Sequence, residues 1–424
     1  MFLKNIIKIF KIKDLRNRLL VVVGVLILFR IMANIPVPGV DAAQLKNFFD
    51  QFEVFGLINV FSGGTLQNLS IIMLGLGPYI TATVVLQLLS MIFPQLEKIY
   101  KEEGDAGREK FNQYGRMLAV PLSIFQSYSM LALFQKQGVI GEMSGMLAFS
   151  SVITITAGTL FLMWLGELID EKGIGNGTSV LIFAGIISRF PQNFLQTYLG
   201  LKFDPSQILS FGAFFTSVLL IIFAVVLITQ AKRNIPISYA RRVRGRKMYG
   251  GAKSQLPLNL NPGGVMPIIF ALSLLTFPSM IANFFVGSEG FIGQMAQKVV
   301  ELSQNYFVYS ASYFVLVFAF TFFYTMIVFD PKTVADNLKK MGGFIPGCRP
   351  GEPTVKFISQ TLNHLLPIGA LFLGIVALAP SLVGKLTGIA SFEFLVGGTS
   401  LLILVSVILE TYQQINAYLQ MQEL

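Results

Sequence analysis

Long uninterrupted apolar runs alternate along the chain with shorter polar stretches. Five runs lie near Leu19–Ile35, Ile71–Phe93, Met117–Phe134, Ser151–Leu168 and Thr178–Phe194. Five more lie near Ile208–Thr229, Val265–Phe285, Tyr306–Phe329, Leu365–Leu382 and Phe394–Leu409. Each approaches the ~20 apolar residues that a helix needs to cross a bilayer. The runs are continuous and do not alternate with a period of two, which excludes the strands of a membrane barrel. The pattern predicts an all-α integral membrane protein with ten transmembrane helices. Composition agrees, since 54% of the 424 residues are hydrophobic and only 13% are charged. A water-facing surface takes about 25% charged residues, so an ordinary soluble enzyme and a disordered chain are both excluded.

Charge orients the spans. With the N-terminus in the cytosol, alternate loops fall inside. They hold 25 of the 32 Lys and Arg residues, while Lys46, Lys136, Arg189, Lys202, Lys298 and Lys385 fall outside and Arg30 lies within the first span. This asymmetry follows the positive-inside tendency and supports ten spans. Ten divides into five and five. Five is odd, so two related halves enter the membrane in opposite directions, as in an inverted repeat. The halves are expected at 19–200 and 201–424, after a basic cytosolic segment at 1–18, with long cytosolic loops near 231–262 and 330–364.

Candidate chemistry is sparse. The single Cys348 forms no internal disulfide, and one His (His364) with one Cys makes a zinc or haem site of these ligands untenable. The run after the basic N-terminus ends in Ile35-Pro36-Val37-Pro38-Gly39 and not in a small-residue cleavage site, so it reads as a retained span. HExxH, GxSxG and a phosphate-cradling Gly-Lys-Ser/Thr loop are absent. Arg30, Glu167 and Glu410 sit toward span ends, where charges snorkel to the interface. No catalytic residues, metal or cofactor are expected. A small-molecule transporter of inverted-repeat type would need a polar midplane site, and none is found.

Two kinds of segment stand out. Val54–Leu69 is too apolar for a solvated loop and too short to span, and Gly63-Gly64 interrupts it. It fits a re-entrant element buried in the bundle or an interfacial helix. The loop Tyr239–Gly251 carries Arg241, Arg242, Arg244, Arg246 and Lys247 and no acid. It fits a hairpin that contacts anionic lipid or one that docks to an acidic partner or RNA. A scaffold that anchors a cytosolic complex would explain this loop but not the apolar segment. The loop Asp330–His364 is turn-rich, with Gly342-Gly343 and Gly347-Cys348-Arg349-Pro350-Gly351-Glu352-Pro353.

Landmarks in order complete the reading. They are Phe29-Arg30-Ile31 with Ile35–Gly39, Phe61-Ser62-Gly63-Gly64, Gly77-Pro78-Tyr79-Ile80, Met163-Trp164-Leu165-Gly166-Glu167, and Gly173-Ile174-Gly175-Asn176-Gly177 with Phe183-Ala184-Gly185. Later come Leu256-Pro257-Leu258 with Asn261, Ala335–Lys340, Arg349–Glu352 and Gly397-Gly398-Thr399-Ser400. Together they resemble the SecY family, the channel-forming subunits of bacterial protein translocases, over nearly the whole chain.

The resemblance implies two inverted five-helix halves around a central pore. Its waist would be ringed by Leu76, Ile80, Thr178, Ile182, Ile269 and Ile403. Leu76/Ile80 and Thr178/Ile182 are i, i+4 pairs, each on one helix face, although such pairs are common in membrane helices. An apolar constriction dewets and blocks ions, yet offers a passing polypeptide no sticky site. Thr178 departs from an aliphatic ring, and its hydroxyl makes a leakier resting pore expected than an Ile there would give.

The resemblance also implies a plug helix near 55–69, containing Phe61, Ser62, Gly63 and Gly64, and a lateral gate between spans 2 and 3 and spans 7 and 8. Gln87 and Gln126 would be polar groups of that gate, or ordinary interhelical glue. Implied partners are SecE-like and SecG-like small membrane subunits, the SecA motor ATPase, the ribosome with its rRNA, signal sequences and nascent polypeptides, and lipid. Arg241, Arg242, Arg244, Arg246, Lys247 and Arg349 would dock cytosolic partners. The implied location is the bacterial plasma membrane, multi-pass, with the N-terminus cytosolic. The sequence carries no basic residue after its last span, where many relatives carry a basic tail, so the resemblance does not extend to tail contacts.

Overall fold

The computed structural model describes residues 12–37, 65–66, 69–101, 104–136, 138, 140–141, 143–188, 191, 208–239, 242–244, 247–249, 253–285, 290–387 and 398–423. The first half contains α1 (Lys13–Met32), α2 (Gly77–Ile92), α3 (Pro94–Lys101), α4 (Gly104–Lys136), α5 (Gly145–Lys172) and α6 (Gly177–Ser188). The second contains α7 (Ile208–Gln230), α8 (Met266–Phe285), α9 (Phe291–Gln304), α10 (Tyr306–Val328), α11 (Pro331–Lys340), α12 (Glu352–Thr387) and α13 (Gly398–Glu423). Strands β1 (Lys232–Tyr239), β2 (Arg242–Arg244), β3 (Lys247–Tyr249) and β4 (Lys253–Asn259) join α7 to α8, and β5 (Gly343–Phe344) follows α11. Helices α1, α2, α4, α5, α6, α7, α8, α10, α12 and α13 fall on the ten apolar runs.

Local chemistry fixes the helix ends. Pro78 opens α2, where its preset φ and missing N–H cost nothing. Phe93 is extended before Pro94, as sterics at a pre-proline residue demand, and α3 leaves α2 at 114°. Asn305 caps α10 by accepting from the N–H groups of Phe307 and Val308. Asp330 caps α11 in the same way, accepting from Lys332 and Thr333, with Pro331 next.

Three helices outrun their apolar runs by more than ten residues. Helix α4 starts at Gly104 and not at Met117, α12 starts at Glu352, and α13 continues to Glu423. These extensions are polar, so a search for apolar runs could not register them. The run at Ile71 differs in the opposite sense, because residues 69–76 form turns and helix begins only at Gly77. Leu69 and Gly75 take φ of 41° and 57°. The segment is buried, as non-helical backbone at membrane depth must be. It is tied to the end of the first span, where Val37 N–H donates to Leu69 O at 2.8 Å and Ile71 N–H to Ile35 O at 3.0 Å.

Within the first half α4 packs on α2 and α5, and α1 packs on α5. Within the second, α10 packs between α8 and α12, and α7, α12 and α13 contact one another. Across the halves, α8 packs on both α2 and α4. One apolar core runs through both, from Phe29 and Val84 through Leu165 and Leu181 to Ile268, Val317, Leu373 and Leu402.

The loop expected to be a projecting hairpin is more built than that. Strand β1 pairs antiparallel with β4, and its end pairs with β5 through Ser238↔Phe344 and Tyr239↔Gly343. Ile235, Ile237 and Leu258 pack on Leu338, Ile345 and Ile358. The two long loops thus share one small core. Strands β2 and β3 form a separate antiparallel pair.

Close approaches explain two glycine motifs. A Cβ on Gly177 would stand 1.9 Å from Gly166 O, so the start of α6 touches the backbone of α5. A Cβ on Gly158 would stand 2.2 Å from Ile71 O. Gly177→Ala is expected to cost about 1–3 kcal/mol or more, the range for overpacking. Gly166→Ala, whose Cβ would meet nothing closer than 3.7 Å, should be tolerated. Equal thermal unfolding of the two variants in detergent would contradict this account.

Candidate functional site

The six waist positions come from four helices or their caps. Leu76 is the N-cap of α2, and its carbonyl accepts from Ile80 N–H at 3.0 Å. That bond keeps the i, i+4 relation although Leu76 itself lies outside the helix. Thr178 and Ile182 lie in the first turns of α6, Ile269 in α8 and Ile403 in α13. Leu76, Ile182, Ile269 and Ile403 are buried at 4% exposure or less, and all belong to the core that spans both halves. Ile80 packs against that core half-buried. Thr178 is half-buried, and its Oγ1 donates to Asn176 Oδ1 at 2.6 Å. The same Asn176 oxygen accepts from Ser179 N–H at 3.0 Å, so it caps α6. The Thr178 proton is therefore directed into the cap, and only its oxygen lone pairs remain for water.

The seam between the halves is thinly bonded. Thr81 Oγ1 donates to Gly77 O at 2.9 Å, as threonines in membrane helices often do. Its single proton is thus used, and Ser273 Oγ of α8 donates to Thr81 Oγ1 over a long 3.4 Å. Gln87 on α2 and Gln126 on α4 are both buried. The Gln87 Oε1 has no hydrogen-bond partner. Leaving such an oxygen unpaired costs about 1–3 kcal/mol. Thr81 and Ser273 were not singled out in the sequence. The available signal was their position, one residue after Ile80 and one turn after Ile269, but Ser and Thr are too common in spans to stand out.

A second cross-half junction lies at the end of the bundle near the Gly173–Gly177 turn. Gly175 N–H donates to Gln414 Oε1 on α13 at 2.8 Å. Arg18 Nη1 donates to Gly173 O at 3.3 Å, and its guanidinium lies 5.3 Å from the centre of the Tyr418 ring. Gly177 N–H donates to Asp170 Oδ1 at 2.7 Å, which closes the turn. Nearby, Arg116 of α4 and Glu167 of α5 form an ion pair at 3.0 Å. This assigns Glu167 a partner on the adjacent span.

At the same end, Arg349 is exposed in the turn after β5. Gly347 and Gly351 flank it with φ of 87° and 107°, and its carbonyl accepts from Thr354 Oγ1 at 2.9 Å. Arg242, Arg244 and Lys247 belong to the β2–β3 pair, with Arg244 opposite Lys247. Arg241, Arg246 and the plug positions Phe61, Ser62, Gly63 and Gly64 lie outside the described residues. Of the 55–69 segment expected to form the plug, Thr65, Leu66 and Leu69 are described and buried, the leucines in one apolar cluster with Phe134 and Ile155. Among the described residues no group of His, Cys, Asp and Glu could hold a metal ion.

The arrangement defines a class, a multi-pass helical membrane protein whose two halves meet in one apolar core, with a small sheet domain at one end. Comparison with known proteins makes the class specific. The family model described as SecY matches residues 70–412. Protein translocase subunit SecY of Streptomyces galbus is 41% identical over 429 residues, covering 97% of this chain and 96% of the relative. That of Synechocystis sp. is 41% identical over 409 residues, covering 95% and 92%. The chain belongs to the SecY family.

Its fold matches a solved protein-conducting channel with a TM-score of 0.67 at 20% identity, covering 95% of this chain and 92% of that one. Sec61 in a canine ribosome–channel complex matches with a TM-score of 0.65 at 19% identity over the same shares. The fold is the ten-helix channel fold of two inverted halves.

The Gly175–Gln414 bond joins the halves, and a hydrogen bond of this kind is worth roughly 0.5–1.5 kcal/mol. Gln414→Ala is expected to shift the closed–open balance toward open by up to about tenfold. Resting ion conductance in planar bilayers measures this, and conductance equal to wild type would contradict it.

Proposed function

We propose that this chain is the channel-forming subunit of a bacterial protein translocase. It passes unfolded secretory polypeptides across the plasma membrane and releases membrane helices sideways into lipid. The observation that carries the reading is that Leu76, Ile182, Ile269 and Ile403, drawn from both halves, all belong to one apolar core, with Ile80 packed against it. A constriction without fixed hydrogen-bond partners excludes ions when shut and grips no particular sequence when open. Family membership and the name protein translocase subunit SecY borne by its relatives support the same reading.

The lateral exit runs between α2 and α4 on one side and α8 and α10 on the other. The long Ser273–Thr81 contact and the unpaired Gln87 oxygen make a closed seam that an apolar signal sequence can displace. Residues 55–69 act as the plug. In support, a neighbour of this fold is described as a SecY protein whose plug domain stabilises the closed state.

The N-terminus lies in the cytosol, on the side of the sheet domain. The two long loops there dock the motor ATPase or the ribosome, using Arg241, Arg242, Arg244, Arg246, Lys247 and Arg349. In support, Sec61 is solved in a ribosome–channel complex, and Arg349 is exposed on a turn held by the shared core. Guanidinium groups suit both the carboxylates of a motor and the phosphates of rRNA. SecE-like and SecG-like subunits complete the assembly. The chain conducts and does not catalyse, so the driving energy comes from the partner.

The test reconstitutes the channel with its small subunits, the motor and ATP, and follows protease protection of a secretory protein. Arg349→Glu is expected to abolish motor-driven transport and leave assembly with the small subunits intact. Normal transport by this variant would reject the docking assignment, and no transport by the wild-type assembly would reject the channel reading.

A further inference from the structure

Helix α9 joins α8 to α10 at the end of the bundle opposite the sheet domain, and it packs on both. Its sequence, Phe291–Gln304, divides into three faces. At 100° per residue, Gly293, Ala296 and Val300 share one face. Gly293 and Ala296 are buried, so small residues seat the helix on the protein. Gln294, Gln297, Lys298 and Glu301 form a second face, and all four are exposed.

The third face carries Phe291, Ile292, Met295, Val299 and Leu302. Four of these large apolar side chains are left open, with Phe291 75%, Ile292 62%, Met295 49% and Leu302 54% exposed. Through Asn305 alone the chain passes into α10, whose outer surface is also apolar, with Phe307 79% and Val315 62% exposed. That surface belongs to a membrane span and faces lipid. A helix with one protein-facing, one apolar and one polar face fits the boundary between headgroups and acyl chains.

We propose that α9 is an interfacial helix, seated in bilayer lipid on the side opposite the sheet domain through Phe291, Ile292, Met295 and Leu302. The occupant is lipid, because α9 is joined through one residue to the lipid-facing span α10 and packs on it while leaving these apolar side chains open. Seated there, α9 couples the ends of α8 and α10 to the leaflet. It thereby resists displacement of α8 from α2 and α4, so the membrane itself weighs on the seam.

Single cysteines placed at Met295, at Leu302 and at Gln297, each in a Cys348→Ser background, would carry an environment-sensitive fluorophore. The assembly with its small subunits would be reconstituted in vesicles of lipids brominated high on the acyl chain. Quenching about threefold or more stronger at 295 and 302 than at 297 is expected for a helix lying in the interface. Equal and weak quenching at all three sites would overturn the proposal, as would oxidative cross-linking of the 295 cysteine to a small partner subunit in place of quenching. The labelled sites are exposed, so the substitutions leave the packed face intact. Two independent apolar sites keep the test decisive if one variant folds poorly.

Discussion

The seam between the two halves must be tight enough to exclude ions and weak enough to part, and much of the structure follows from that constraint. Apolar packing satisfies both demands because it is non-directional. Leu76, Ile182, Ile269 and Ile403, proposed to ring the waist, lie in one core with the rest of the bundle, so the apolar packing that holds the halves together would also narrow the pore there. Among the described residues, the polar contact between α2 and α8 is a marginal one. The Ser273–Thr81 contact is stretched to 3.4 Å. The better-formed bond between the halves, Gly175 to Gln414, sits at the end of the bundle by the Gly173–Gly177 turn. The contact between α2 and α8 is thus the weaker of the two, and that between the Gly173–Gly177 turn and α13 the firmer.

Rigidity elsewhere serves this softness. Within each half, glycines allow close approach, of backbone to backbone at Gly177 against Gly166 and of a ring to backbone at Gly374, whose added Cβ would fall 2.5 Å from the Phe314 ring. Such close packing has no slack and moves as a body. The sheet domain extends the rule. Its two loops lie in the second half, and β1 binds them to each other through β4 and β5. A force applied at Arg349 therefore reaches the second half as a unit.

Much of this was legible in the sequence because a bilayer imposes simple rules. Apolar runs and basic loops gave the number of spans. The motifs Gly77–Ile80 and Gly173–Gly177 marked where α2 and α6 begin. Sequence was weakest where polarity misleads. The turn-forming segment before Gly77 reads as apolar helix, since burial, not helicity, dictates its composition. The polar extensions of α4, α12 and α13 read as loops for the opposite reason. The sheet that joins the two long loops depends on pairing between Tyr239 and Gly343, and no local pattern announces a contact across that distance. Thr81 and Ser273 were hidden by the ordinariness of hydroxyls in membrane helices.

Conduction through the waist is the central claim, and one measurement reaches it most directly. A photo-cross-linkable residue would replace Ile80 in the assembly with its small partners, motor and ATP. A secretory protein would be stalled midway by a folded domain. The account predicts a cross-link between position 80 and the stalled polypeptide that requires both ATP and the signal sequence. Transport that proceeds while position 80 stays silent would contradict the assignment of the waist.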